Sequence, residues 1–241
     1  MRVKFSFWSV ILPVGGLTLA GATQPEPALV RVVDARTHQP IPYASIGVRN
    51  RPLGTVADAQ GRFQPAQTSA APTDTLVVSC VGYQPRRLPL AAAQQLPELS
   101  LEPQAQALGE AVVKAAGWKR RRVGREADGG FVFFNFHMQA DTVPAAKLGR
   151  ESGAILRVRP QSVIEDAHVF ISQWRYQGLR FRLNVRAVDA NNHPAASLLT
   201  QDVQFTVPDS VSGWQHIDLR PYNVHVGTER RVAVTLEWLA G

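Results

Sequence analysis

Acid, amide and imidazole groups come close together at two places in this chain. "SVIEDAHVFIS" carries Glu165, Asp166 and His168. On a helix, the i, i+3 spacing of Glu165 and His168 would aim a carboxylate and an imidazole at one metal ion. The Val, Ile and Phe around them read as a strand instead. His225 and Glu229, four apart, flank the turn-like "HVGTE". The six His are dispersed through the chain, so no metal site is expected. The second place is "GTVADAQGRF", residues 54–63, with Asp58, Gln60 and Gly61. A calcium loop needs oxygen ligands at several more alternate positions and a distal bidentate Glu. The expectation is a plain turn of a β-hairpin. Thr55 and Val56 end one strand, Arg62 and Phe63 begin the next, Asp58 caps the turn, and Gly61 takes a positive φ.

Catalytic motifs are missing. "DSVSGW" holds Ser212 and Gly213 but not Gly-x-Ser-x-Gly. There is no phosphate loop and no dinucleotide fingerprint. The sequence predicts a non-enzymatic protein with no catalytic residues, no metal and no cofactor.

Binding chemistry rests on aromatics and a basic cluster. Trp174, Trp214 and Trp238 lie in the second half, and Trp118 lies in the stretch just before it. Trp238 reads as core. Trp174 and Trp214, beside Arg175 or Tyr176, could stack on sugar rings through their apolar faces. A place in the sandwich core is the alternative for these tryptophans. "WKRRR" sets Arg120, Arg121 and Arg122 beside Trp118. It reads as a solvated linker or as a contact for an acidic glycan, headgroup or protein. Arg180, Arg182 and Arg186 line one side of "RFRLNVRAV", either as a solvated sheet face or to meet an acidic surface.

The elements that must hold these residues are strands. From Leu29 on, short runs rich in Val, Ile, Leu and Thr alternate with Pro, Gly, Asn and Asp turns. "LVRVVDA", "YASIGVR", "GTVADAQGRFQP", "DTLVVSCVGY" and "LPELSLEP" read as successive strands of an antiparallel module. Val30, Val32, Ala44, Ile46, Val48, Leu76 and Val78 fall at period two and face a core, with Tyr83 as its lid. Further on, "FVFFNFHM", "GAILRVRP", "SVIEDAHVFISQW", "LRFRLNVRAVDA", "LTQDVQFTV", "WQHIDLRPYNVHV" and "RRVAVTLEWL" suggest a second antiparallel sandwich of jelly-roll type. Phe181, Leu183, Val185 and Ala187 face its core, as do Val232, Val234, Leu236 and Trp238.

Composition fits two such cores. The chain has 241 residues, 45% hydrophobic and 19% charged, with a net charge of +7. Residues 1–22, with Arg2 and Lys4 before an apolar run and Ala20-Gly21-Ala22 at its end, read as a secretory signal peptide. The mild basic excess beyond it is not the dense stripe of a nucleic-acid binder. No later segment reads as a membrane span. Cys80 is the only cysteine, which excludes an intrachain disulfide, and its apolar setting reads as packed.

"VRVVDARTHQPIPYASIGV", "GTVADAQGRF" and "DTLVVSCVGYQPRRLPL", in that order, resemble the carboxypeptidase regulatory-like domain. The matching positions include Asp34, Pro40, Pro42, Gly54, Asp58, Gly61, Phe63, Asp74, Gly82 and Tyr83. The resemblance covers residues 29–103. It implies a seven-stranded, transthyretin- or Ig-like sandwich of the kind found at the N-termini of TonB-dependent outer-membrane receptors and in other exported proteins. It implies no catalytic residues. The carboxypeptidase of the family name is a neighbouring domain elsewhere, and its zinc motif His-x-x-Glu does not occur here. Residues 104–127 follow as a linker with the basic cluster. Residues 128–241 resemble, more distantly, an uncharacterised sandwich that accompanies this domain, which implies architecture alone. The chain after the linker lacks the many alternating strands of a receptor barrel. The reading is therefore an all-β, exported protein, periplasmic or at the outer membrane. Its partner is an envelope protein or a polysaccharide, not nucleic acid.

Overall fold

The computed structural model describes residues 29–104, 119–124, 148–171, 177–209 and 212–241. The expected signal at 1–22, the strand "FVFFNFHM" and the side chains of Trp118 and Trp174 lie outside them.

Seven strands build the first half. They are β1 (Val30–Asp34), β2 (Ser45–Val48), β3 (Gly54–Val56), β4 (Arg62–Phe63), β5 (Thr75–Ser79), β6 (Arg86–Pro89) and β7 (Glu98–Leu101). A single helical turn, α1 (Leu90–Ala93), joins β6 to β7. One sheet has the order β4-β1-β7 and the other β3-β2-β5-β6. The side chains at period two meet between them. Val30, Val32, Ala44, Ile46, Val48, Leu76 and Val78 are all buried, together with Leu99 and Leu101. Tyr83 packs at the rim and donates its hydroxyl to Asp34 Oδ2 at 3.1 Å.

Two features depart from the sequence reading. The module is not wholly antiparallel, because β1 and β7 run parallel, with Val32 opposite Leu99. "GTVADAQGRF" is a turn, but it is not the turn of a hairpin. β3 pairs with β2 and β4 with β1, so the loop arches from one sheet to the other. Asp58 holds it. Its Oδ1 accepts the backbone N–H groups of Gln60 and Arg62, each at 2.8 Å, and its Oδ2 accepts Arg62 Nε at 2.9 Å. Gly61 sits at φ +72°, and a Cβ there would lie 2.8 Å from the Val32 carbonyl oxygen. Local geometry marked the turn, but partner choice is long-range and the motif does not encode it.

The second half contains β8 (Glu151–Arg157), β9 (Ser162–Ile164), β10 (Asp166–Ile171), β11 (Arg180–Val188) and β12 (Pro194–Ser197). It continues with β13 (Val203–Thr206), β14 (Gly213–Asp218), β15 (Val224–Val226) and β16 (Arg231–Ala240). The pairing is nested. β8 pairs with β16, β9 and β10 with β15 and β14, and β11 with β12 and β13. The outer and inner pairs fuse through β11 and β16 into one sheet, and the two middle pairs, β9 with β15 and β10 with β14, form separate two-stranded ribbons packed on its core. Nested hairpins split between two layers are the jelly-roll plan. Phe181, Leu183, Val185, Val232, Leu236 and Trp238 face inward with Ile217, Leu219, Val224 and Val226 of the ribbon side.

The opposite face of β11 is not a solvated surface. Arg182 and Asn184 are buried. Arg182 Nε donates to Asp202 Oδ1 (2.6 Å) and its Nη2 to Asp202 Oδ2 (2.9 Å), a two-pronged grip. Nη1 reaches Glu237 Oε2 (2.9 Å) and Ser45 Oγ (3.0 Å), and Nη2 the Tyr43 carbonyl (2.9 Å). These five bonds match the five N–H groups of a guanidinium. Burial alone would lower the pKa of Arg182. The bonds to Asp202 and the charges of Glu237 and Asp202 outweigh it, and the pKa is raised. Tyr43 and Ser45 belong to the first sandwich, and Arg182, Asp202 and Glu237 to the second. Arg180 lies over the Tyr43 ring at 5.4 Å, and Val81 packs against the second core. The acidic surface that the arginine row could meet is therefore in the same chain, at the seam between the sandwiches.

Candidate functional site

The ribbon of β10 and β14 presents an ordered outer face. Its register sets Asp166 opposite Asp218, His168 opposite His216 and Phe170 opposite Trp214. Alternation turns Ala167, Val169, Ile171 and Ile217 toward the core, and so these six residues turn outward. Three like pairs thus run in sequence along the ribbon: acids, imidazoles and aromatics.

Each pair has its own chemistry. Two carboxylates directly opposite each other repel. Arg220 relieves this by gripping Asp218, with Nε to Oδ1 at 2.8 Å and Nη2 to Oδ2 at 2.7 Å. That side-chain bond, aided by the Arg220 backbone N–H, lowers the Asp218 pKa to about 2. Asp166 contacts His168 instead, with Oδ1 3.2 Å from Nε2. The His168 and His216 rings lie 4.8 Å apart, tilted by 38°. Phe170 and Trp214 meet edge to face at 5.3 Å and are 36% and 39% exposed. An aromatic pair this open offers ring faces and edges to a ligand.

Trp214 stands on the outward face of this ribbon. Arg120 is brought to the same ribbon, since its Nε lies 2.9 Å from Oε2 of Glu165, between β9 and β10. Arg121 and Arg122 are exposed. The structure does not describe Trp118 or Trp174. The His pair is not legible from either segment alone, because it depends on how β10 and β14 pair. Strand spacing carries the signal: Asp166 and His168 are two apart, as are Trp214 and His216, in segments that each read as a strand.

Cys80 offers little chemistry. Burial pushes its thiol up to about 11, against a weaker opposing pull from Arg182. A thiol held protonated is a poor nucleophile.

The first half is an Ig-like sandwich, and comparison with known proteins agrees. Residues 31–113 match the CarboxypepD_reg-like domain family. A segment of 90 residues is 33% identical to the TonB-dependent receptor SusC of Bacteroides thetaiotaomicron. That alignment covers 37% of this chain and 9% of the receptor. No solved structure matches the chain. The family match ends before the second sandwich, and so it does not include the ribbon.

Proposed function

We propose that the protein is a non-enzymatic binding or assembly module of the cell envelope that contacts another envelope protein. The CarboxypepD_reg-like segment and its likeness to a TonB-dependent receptor support the compartment. The outward face of the ribbon carries the binding reading: Phe170 and Trp214 are both exposed near one end of its ladder. Among the described residues, β10 and β14 pair only with each other, which leaves strand edges on which a partner can build. The first sandwich, locked through Arg182, acts as a rigid support. A second reading, carbohydrate binding, is favoured by the same Trp214, since an open indole face suits a sugar ring.

The test is a cross-linking capture from native envelopes with the chain as bait, repeated with Trp214→Ala. One protein recovered in near-stoichiometric amount, and lost with the variant, supports the assembly reading. Polysaccharide recovered without protein, and lost with the variant, replaces it with the second. Capture of neither rejects both.

A further inference from the structure

We infer that Asp166, His168 and His216 form a binding site for a divalent first-row transition ion. Their donor atoms all lie within 4.8 Å of one another. Zinc bonds imidazole nitrogen at about 2.0–2.1 Å, so donors sharing one tetrahedral ion sit roughly 3.3 Å apart. Side-chain rotation must therefore close the widest separation by about 1.5 Å. All three side chains are exposed, and six residue pairs of ladder hold the backbone beneath them.

Donor chemistry selects the ion. Two imidazoles and one carboxylate suit zinc, copper, nickel or cobalt, whereas calcium and magnesium take oxygen ligands. Neighbouring charges select the carboxylate. Arg220 occupies both oxygens of Asp218, so the acid across the ladder is committed elsewhere. Asp166 is turned to His168 and stands on the same face. Three protein donors leave a coordination position for water or for a donor from a bound molecule, one step along the ribbon from Phe170 and Trp214. An ion held across β10 and β14 also ties those strands together, and binding of the folded state raises its stability. The site stands whichever envelope ligand the module takes.

Zinc is titrated calorimetrically into the tag-free chain, and cobalt is followed by visible absorption. The expected result is one ion per chain, a cobalt spectrum with nitrogen ligation, and a melting temperature that rises with zinc. Loss of even an outer partner of a metal site costs 10–100-fold in affinity, so His168→Ala and His216→Ala each weaken binding by at least about tenfold. His193→Ala, at an imidazole 73% exposed on another turn, leaves it unchanged. His168→Gln and His216→Gln repeat the test with polar side chains of similar size, should either Ala variant lose its far-ultraviolet spectrum. The inference is overturned by absence of saturable binding, or by binding that persists within twofold in a folded chain carrying both His168→Ala and His216→Ala.

Discussion

Ser45 donates its hydroxyl to Oε1 of Glu237 at 2.6 Å, across 192 positions of sequence. The same oxygen of Ser45 accepts Arg182 Nη1 at 3.0 Å. One hydroxyl therefore closes a circuit between the two sandwiches, with Arg182 at its centre. Removing that centre leaves Glu237 buried without its cation, and Asp202 loses its two-pronged partner. Arg182→Ala is expected to cost about 3–5 kcal/mol, whereas Ser45→Ala costs about 1 kcal/mol. Urea denaturation, read separately by near- and far-ultraviolet dichroism, checks both values. Arg182→Ala should also turn one transition into two, because the seam couples the halves.

Gly149 joins the sandwiches more simply. Its φ is +79°, and a Cβ would lie 2.9 Å from the Thr55 carbonyl oxygen. Its N–H donates to the Trp238 carbonyl at 2.8 Å, so the position cannot move away freely. Gly149→Ala is expected to lose about 1–3 kcal/mol, read as a lower melting temperature. A melting temperature unchanged within a degree would mean the seam is softer than its contacts indicate.

Acid should loosen the first sandwich at its turns. Backbone N–H groups of Thr37 and then Arg36 lower the Asp34 pKa. At Asp58 burial raises the pKa, but bonds from the Arg62 backbone, the Arg62 side chain and the Gln60 backbone outweigh it, and the net shift is down. Both carboxyls have lower values folded than unfolded, where Asp titrates near about 3.9. Their stabilisation is therefore full above that value and is lost as pH falls through the folded pKa. Stability measured between neutral pH and strong acid should fall in the acid limb, and Asp58→Asn should make that fall shallower.

Cys80 should resist modification. With its thiol held near 11, iodoacetamide at mildly alkaline pH should label the folded chain far more slowly than the chain in denaturant. Labelling at equal rates in both states would show that the thiol is not enclosed.

Much of this fold was legible because strands announce themselves by alternation. Val30, Val32, Leu76, Leu183 and Trp238 are core residues in the sequence and in the structure. β6 and α1 were not legible. "RRLPLAAA" alternates poorly, and Pro89 interrupts it. Partner choice was hidden as well, as the parallel pairing of β1 with β7 shows. Arg182 was misleading for a physical reason. A charged residue opposite a core face normally meets water, and here Asp202, Glu237 and the first sandwich's Ser45 and Tyr43 carbonyl make its burial tolerable. The outer ribbon was half visible. Trp214 stands out as an aromatic at the start of a strand rich in polar residues, while the pairing of His168 with His216 depends on the register of β10 against β14.

β16 is the central strand of its sheet, lying between β11 and β8, yet it comes after both in the chain. The ribosome therefore releases this protein in an order that its second half cannot use at once. β1 to β7 can close as soon as Leu101 has emerged, since β7 completes the sheet around β1. β8 and β11 must wait for residues 231–240 before they share a partner. During that interval the finished first sandwich holds out the Ser45 hydroxyl and the Tyr43 carbonyl, a docking template made before the part that fits it.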